Sequence, residues 1–418
     1  MPDQLLVLSN GHGEDLIALR VIEALLQRRP ALQLAVLPLV GQGNAYAAAE
    51  AAGMLERLGP RQLLPSGGFS NQSLRGLLLD LAAGLPLLSW RQWQLVRRWG
   101  LSGAPILAVG DLLPLLLAWG GGGPFGFIGT PKSDYTWVSP PPCHWGHTAL
   151  ADAYHRSKGS EWDPWEWALM ASRRCRLVAV RDRLTARGLQ RHGVAALAPG
   201  NPMMDGFSPG LLPTELRGQR RLLLLAGSRM PEALRNAARL LESFDHLALA
   251  EPLTVLMATG REPGPQALAT LLEAQGYKPW QGELVKATGA HAAWRRDRTT
   301  LLVGPGCFSQ WAPWAELGLA NAGTATEQLT GLGIPALSLP GAGPQFKTGF
   351  ARRQSRLLGG AVLPCHTPRE LGARLQLLLN EPELRRSLGR RGQHRMGAPG
   401  GSAAIAAFVE ARLLGQEP

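Results

Sequence analysis

Cysteine is scarce in this chain of 418 residues. The 4 cysteines, Cys143, Cys175, Cys307 and Cys365, stand far apart, with no Cys-x-x-Cys pair and no metal-ligand spacing. No disulfide framework is expected, and a reducing compartment suits such usage. Charge is also thin: 18% of residues are charged against 45% hydrophobic, so the chain can bury sizeable cores and is not disordered in bulk. Acidic residues fall short of basic ones, 31 against 43, leaving a net charge of +12. That balance calls for an anionic partner. No long Lys/Arg block, zinc finger, homeodomain or RNA-binding signature is present, so nucleic acid is not the expected one. Long apolar runs are missing too. Pro105–Trp119 carries Asp111 and Pro114 and is shorter than the roughly 20 residues that span a bilayer. Leu77–Leu88 is broken by Asp80, Gly84 and Pro86. Met1-Pro2-Asp3-Gln4 has no basic n-region, so no signal peptide is expected and the location is read as cytoplasmic.

What is abundant is glycine (51) and proline (33), which mark many turns between short apolar runs. Leu5–Leu8 reads as a strand ending in Ser9-Asn10-Gly11-His12-Gly13-Glu14-Asp15. Leu16, Leu19, Ile22, Leu25 and Leu26 follow at helical spacing, and Leu34–Leu37 is a second strand. This βαβ opening implies a parallel sheet with helices on its faces. Ile106–Val109 and Arg176–Val180 continue the pattern. It restarts at Arg221–Leu225 and runs through Leu253–Met257, Thr299–Val303, Leu317–Ala320, Ala336–Leu339 and Ala361–Leu363. The expected division is an α/β domain over 1–206, a linker over 207–219, a second α/β domain over 220–400, and a C-terminal helix over 401–418 that could pack back on the first domain.

The stretch Gly318–Gly341 reads strand, Gly323-Thr324 turn, helix, Gly333-Ile334-Pro335 turn, strand. A small-residue turn that opens a helix presents backbone N–H groups and the positive end of the dipole, as a diphosphate requires. An ordinary βαβ crossover, with Thr324 and Thr326 as caps, has the same local pattern. Gly227-Ser228-Arg229 also lies between a strand and a helix, and Arg229 carries a planar fork of donors suited to a leaving diphosphate. Gln345 and Lys347 follow the Ala336–Leu339 strand. In the first half, His12 is a candidate base or a turn residue. Asp111 is a candidate base or a helix cap.

Three segments, in order, resemble the GT-B glycosyltransferases. Gly318–Gly341 resembles their nucleotide-binding half, notably in lipid-A-disaccharide synthase and the peptidoglycan N-acetylglucosaminyltransferase. Gly200-Asn-Pro-Met-Met-Asp205 is similar to the synthase's Gly-His-Pro-Leu-x-Asp element. Leu224-Leu-Ala-Gly227-Ser228-Arg229-x-x-Glu232 is similar to its Leu-x-Pro-Gly-Ser-Arg-x-x-Glu element. The likeness is to the lipid-A-disaccharide synthase-related proteins and spans most of the chain. It implies two Rossmann-like doubly wound α/β domains facing a cleft. The C-terminal one would hold a UDP-sugar on Gly227, Ser228, Arg229, Gly323, Thr324, Glu327, Gln328, Gln345 and Lys347. The chain departs from the pattern in places. Ala322 replaces a Ser, and the family's helix Glu falls on Gln328, with the carboxylate next door at Glu327. One residue turns a helix by roughly 100°, so either side chain is left as the ribose ligand. Val109-Gly110-Asp111-Leu112-Leu113-Pro114 stands where the synthase has two acidic residues and keeps one of them.

The resemblance implies transfer of a sugar to a hydroxyl of a lipid-like acceptor, with Asp111 or His12 as base and Arg229 neutralising the leaving group. Neither cofactor nor metal is implied, and there is no Asp-x-Asp motif. Over Leu74–Gly100, Trp90, Trp93 and Trp99 interleave with Arg91, Arg97 and Arg98, as a peripheral anionic membrane surface requires. The Trp-rich segments Pro140–Trp145 and Trp162–Trp167 are candidates to wall the acceptor cleft. Two rival readings remain: a UDP-sugar 2-epimerase-like enzyme with no acceptor, and a degenerate, non-catalytic membrane-peripheral binding protein.

Overall fold

The computed structural model describes residues 4–60, 81, 84–146, 149–207, 210–248, 251–341 and 346–415. The chain divides into two compact units. The first holds residues 1–137, 149–205 and 398–418, and the second holds 138–148 and 206–397. Both are Rossmann-like doubly wound α/β domains.

The first sheet has seven strands: β1 Gln4–Ser9, β2 Gln33–Pro38, β3 Glu56–Arg57, β4 Ile106–Gly110, β5 Phe125–Gly129, β6 Cys175–Val180 and β7 Ala196–Leu197. Their order is β3-β2-β1-β4-β5-β6-β7, and every pairing is parallel. Strands covered on both faces read as unbroken apolar runs, which is why Leu5–Leu8 and Ile106–Val109 are buried along their whole length. The chain builds outward from β1 to β3, then returns to the other side of β1 with β4. The strand order therefore reverses between β1 and β4.

The second sheet has eight strands: β8 Arg220–Leu225, β9 Leu253–Thr259, β10 Lys278–Trp280, β11 Ala292–Arg296, β12 Thr299–Pro305, β13 Leu317–Ala320, β14 Ala336–Ser338 and β15 Val362–Pro364. Their order is β10-β11-β12-β9-β8-β13-β14-β15. The reversal here falls between β8 and β13. One edge departs from the expected all-parallel pattern, because β10–β11 and β11–β12 pair antiparallel. β10 is three residues long and largely exposed, so it carries no apolar run that the sequence would reveal.

Two features fix the first unit's surroundings. Helix Leu85–Leu101 packs on helix Leu112–Gly121 through glycine, since a Cβ on Gly100 would lie 2.4 Å from the Gly121 carbonyl oxygen. The Gly200–Asp205 element clasps the C-terminal helix Gly401–Val409. The Asp205 carboxylate accepts from Gly400 N at 2.5 Å and Ser402 N at 2.7 Å, and Arg20 Nη1 donates to the Pro202 and Met203 carbonyls at 2.9 and 3.0 Å. That helix lies against helix His12–Arg28 and is followed by a π-helical turn, Glu410–Leu414. The element is thus a structural clasp, and a carboxylate that accepts two N–H groups at a helix start also opposes its dipole favourably.

Candidate functional site

In open α/β sheets, ligands bind beyond the carboxyl ends of the strands where the order reverses. The turns after β1 and β4 flank that point in the first unit, and the turns after β8 and β13 flank it in the second.

In the second unit, β8 ends in Ala226-Gly227-Ser228-Arg229 and β13 ends in Asn321-Ala322-Gly323. Gly227 has φ +97°, which disfavours a side chain, and the turn passes close to the Asn321 carbonyl. Asn321 stitches three strands together at their ends. Its N–H donates to Leu225 O at 2.8 Å, its Nδ2 donates to Leu339 O at 2.8 Å, and its Oδ1 accepts from Leu339 N at 2.8 Å. Asn236, on helix Glu232–Glu242, donates to Ala226 O at 3.0 Å. A depression lined by Gly227, Ser228, Arg229, Asn321, Gly341 and Phe346 lies over these ends. Burial pulls the Arg229 guanidinium below its ordinary value, and the nearby Glu232 charge opposes that shift. Arginine remains a cation regardless.

Gly323 opens helix Thr324–Gly331 with no side-chain cap, and its carbonyl accepts from Thr326 N at 3.1 Å and Glu327 N at 3.2 Å. Thr326 Oγ1 donates to Ala322 O at 2.7 Å, and Gln354 Nε2 donates to the Ala322 and Gly323 carbonyls at 3.1 and 3.2 Å. The turn's carbonyls are thereby tied back. Glu327 and Gln328 are both half-buried on the first turns of the helix. Lys347 is exposed and precedes helix Thr348–Leu357. Gln345 lies outside the described residues.

In the first unit, β1 ends in Ser9-Asn10-Gly11 and β4 ends in Gly110-Asp111. Asp111 caps helix Leu112–Gly121, accepting from Leu113 N at 3.1 Å, and the same Oδ1 accepts from Asn10 Nδ2 at 2.7 Å. Glu14 stands beside Gly110 and accepts from Thr130 Oγ1 at 3.5 Å. The backbone of His12 opens helix His12–Arg28 at the same edge. Sequence reading singled out His12 and Asp111 here but passed over Asn10, Glu14 and Thr130. Thr130 follows β5, a strand rich in glycine and phenylalanine that did not register as a strand.

The aromatic segments separate. Trp162 is fully buried and packs edge-on to Phe127 at 5.6 Å, so it is core and walls no site. Trp167 stacks on His192 at 3.5 Å. Trp145 joins the second unit, buried with Phe346 and Ala351 and stacked on His366 at 4.5 Å. Arg356 Nε holds this segment by donating to Ser139 O at 2.7 Å.

Of the Leu74–Gly100 stretch, residues 74–80, 82 and 83 lie outside the described set. Leu87 and Trp90 are exposed on helix Leu85–Leu101, and Leu113, Leu116 and Trp119 are exposed on the helix packed beside it. Trp90 stacks on Trp93 at 4.9 Å, whereas Trp99 turns inward and donates to Pro105 O at 3.2 Å. Among the described residues, no helix is long and apolar enough to cross a membrane. Among them, too, no group of three His, Cys, Asp or Glu side chains is placed to hold a metal ion.

No protein-family model matches the chain, and no curated protein matches it in sequence. Solved structures do match in fold. A putative UDP-N-acetylglucosamine 2-epimerase from Listeria monocytogenes superposes with a TM-score of 0.58 at 10% identity, over 99% of this chain and 97% of that one. The calicheamicin glycosyltransferase CalG4 gives 0.57 at 16% identity, over 99% of each chain. The UDP-GlcNAc 2-epimerase from Neisseria meningitidis, bound to UDP-GlcNAc, gives 0.55 at 14% identity, over 97% of this chain and 99% of that one. These likenesses establish the two-domain GT-B fold.

Proposed function

We propose that this protein is a glycosyltransferase that moves a sugar from a UDP-sugar to a hydroxyl of a lipid-like acceptor. The observation that carries the reading is the pairing of Gly227-Ser228-Arg229 with the uncapped helix start at Gly323, side by side at the strand-order reversal of the second sheet. Backbone N–H groups and one guanidinium together can neutralise a diphosphate without a metal. The naming of structural neighbours for UDP-sugar chemistry and for glycosyl transfer supports the same donor class. Either Glu327 or Gln328 would take the ribose hydroxyls, and Lys347 and Gln345 would reach the sugar or phosphate.

In this reading the base is Asp111. Its carboxylate takes the acceptor's proton as the acceptor oxygen bonds to the anomeric carbon. The bond from that carbon to the diphosphate oxygen breaks, and its electron pair leaves with UDP. A base must stand within about 2.6–3.2 Å of the hydroxyl it deprotonates. His12 is the alternative on the adjoining turn. The lipid character of the acceptor rests on the likeness to lipid-A-disaccharide synthase-related proteins. The exposed Leu87, Trp90, Leu113 and Leu116, with Arg91 close by in sequence, suit an anionic membrane surface.

Incubating the purified protein with UDP-sugars separates the classes. Transfer predicts UDP release that rises when membrane lipid extract is added. Formation of an epimeric UDP-sugar without acceptor would replace the transferase reading with a 2-epimerase. UDP binding without turnover would leave a binding protein.

A further inference from the structure

The two oxygens of Asp111 are not equivalent. Oδ1 accepts two hydrogen bonds, from Leu113 N at 3.1 Å and from Asn10 Nδ2 at 2.7 Å. Oδ2 accepts none among the described residues. The bond from Leu113 is an ordinary helix cap and would serve the helix unaided. The bond from Asn10 crosses 101 residues of sequence to reach the same atom. Two donors converging on one oxygen fix the plane of the carboxylate, and the other oxygen is left to whatever occupies the edge of the sheet.

The surroundings are built to bring Asn10 there. Gly110, next to Asp111, has φ +137°, and a Cβ on it would fall 2.9 Å from the Asn10 Cβ. Only glycine lets the two turns approach so closely. On the other side of Asn10, Tyr46 donates its hydroxyl hydrogen to Ser9 Oγ at 2.8 Å, and Ser9 Oγ donates to Asp15 Oδ1 at 2.6 Å. Tyr46, Ser9 and Asp15 are all buried, so the turn that carries Asn10 is anchored from beneath. A plain strand-to-helix turn requires none of this.

We propose that Asn10 is a positioning residue for Asp111: its side-chain amide holds the carboxylate so that Oδ2 receives the proton of the acceptor hydroxyl. The inference rests on the reading of Asp111 as the base. Asn10 itself exchanges no proton and touches no reacting atom. A misplacement of the base by about 1 Å can cost on the order of 100-fold in rate. Removing the amide should therefore act on turnover and leave the nucleotide site, in the other sheet, untouched.

The test uses the full chain and its Asn10→Ala, Asp111→Asn and double variants, with UDP-N-acetylglucosamine turnover and UDP affinity both measured. Asn10→Ala should lower kcat by about 10- to 100-fold while the UDP Kd stays within about twofold of the unaltered protein. In the Asp111→Asn background the same change should have no further effect, because its target is gone. An equal loss in both backgrounds, or a UDP Kd that worsens as much as kcat, overturns the proposal. Full turnover in Asp111→Asn removes the base reading itself. Loss in Asp111→Asn with full turnover in Asn10→Ala removes only the role given to Asn10. A high-resolution crystal structure of Asn10→Ala decides the matter independently of turnover. The Asp111 carboxylate should be turned or split between orientations, and a carboxylate unchanged in place overturns the inference.

Discussion

Asp134 gives the stability of this protein a pH dependence opposite to that of an ion-paired aspartate. It lies just after β5, at 2% exposure, and its Oδ1 accepts from Glu161 N at 2.7 Å and from Trp137 Nε1 at 3.4 Å. Burial pushes its carboxyl up from 3.8 to about 7. Those two hydrogen bonds pull the other way, and the charges of Asp182 and Glu161 add to the rise. Between these two values the folded chain holds a proton that the unfolded chain has released. The associated stability is complete below about pH 4 and is lost as pH climbs towards 7, on the order of 4 kcal/mol in all at about 1.36 kcal/mol per pKa unit. From about pH 5 to about pH 8 the loss is about 2 to 3 kcal/mol. Asp134→Asn removes the ionisation while its amide oxygen can still accept from Glu161 N. Urea unfolding of both proteins at the two pH values, followed by tryptophan fluorescence, reads the difference. The unaltered protein should lose more stability than the variant across this interval. Equal losses in the two proteins would show that Asp134 ionises in the folded state as freely as in the unfolded one, and would refute the reasoning.

Three further outcomes are expected. Arg229→Ala should lower turnover by about 100-fold or more with the fold intact, since it deletes one charge-stabilising donor at the leaving group; near-normal turnover in a folded variant removes Arg229 from the mechanism. Gly100→Ala forces a Cβ to within 2.4 Å of the Gly121 carbonyl oxygen, so the two helices must part. A cost of about 1–3 kcal/mol follows, visible as a lower thermal midpoint. Flotation with anionic liposomes should weaken as salt rises and weaken further in Trp90→Ala with Leu116→Ala, because screening shortens the reach of surface charge. Binding indifferent to lipid charge and to salt would remove the membrane surface from the picture.

The sequence by itself determined the two α/β halves and the glycine-marked turns that end their strands. Strands buried on both faces must be apolar along their whole length, so Leu5–Leu8, Ile106–Val109 and Leu222–Leu225 announce themselves, and the turns that follow them are marked by glycine. The strands it concealed are β3, β7 and β10, which are two or three residues long, and β5 and β11, whose residues do not form an aliphatic run. Tertiary structure alone decided which turns meet. Asn10 and Asp111 are brought together only because β4 returns to the side of β1, and the Gly227 and Gly323 turns only because β13 returns to the side of β8. It decided, too, that Trp162 is core, that the Pro140–Trp145 segment belongs to the second unit, and that Asp205 clasps a helix some 200 residues away in sequence. Periodicity records which face of an element is buried. Hydrogen bonds between residues remote in the chain depend on strand order, and nothing in the local pattern of either partner encodes it.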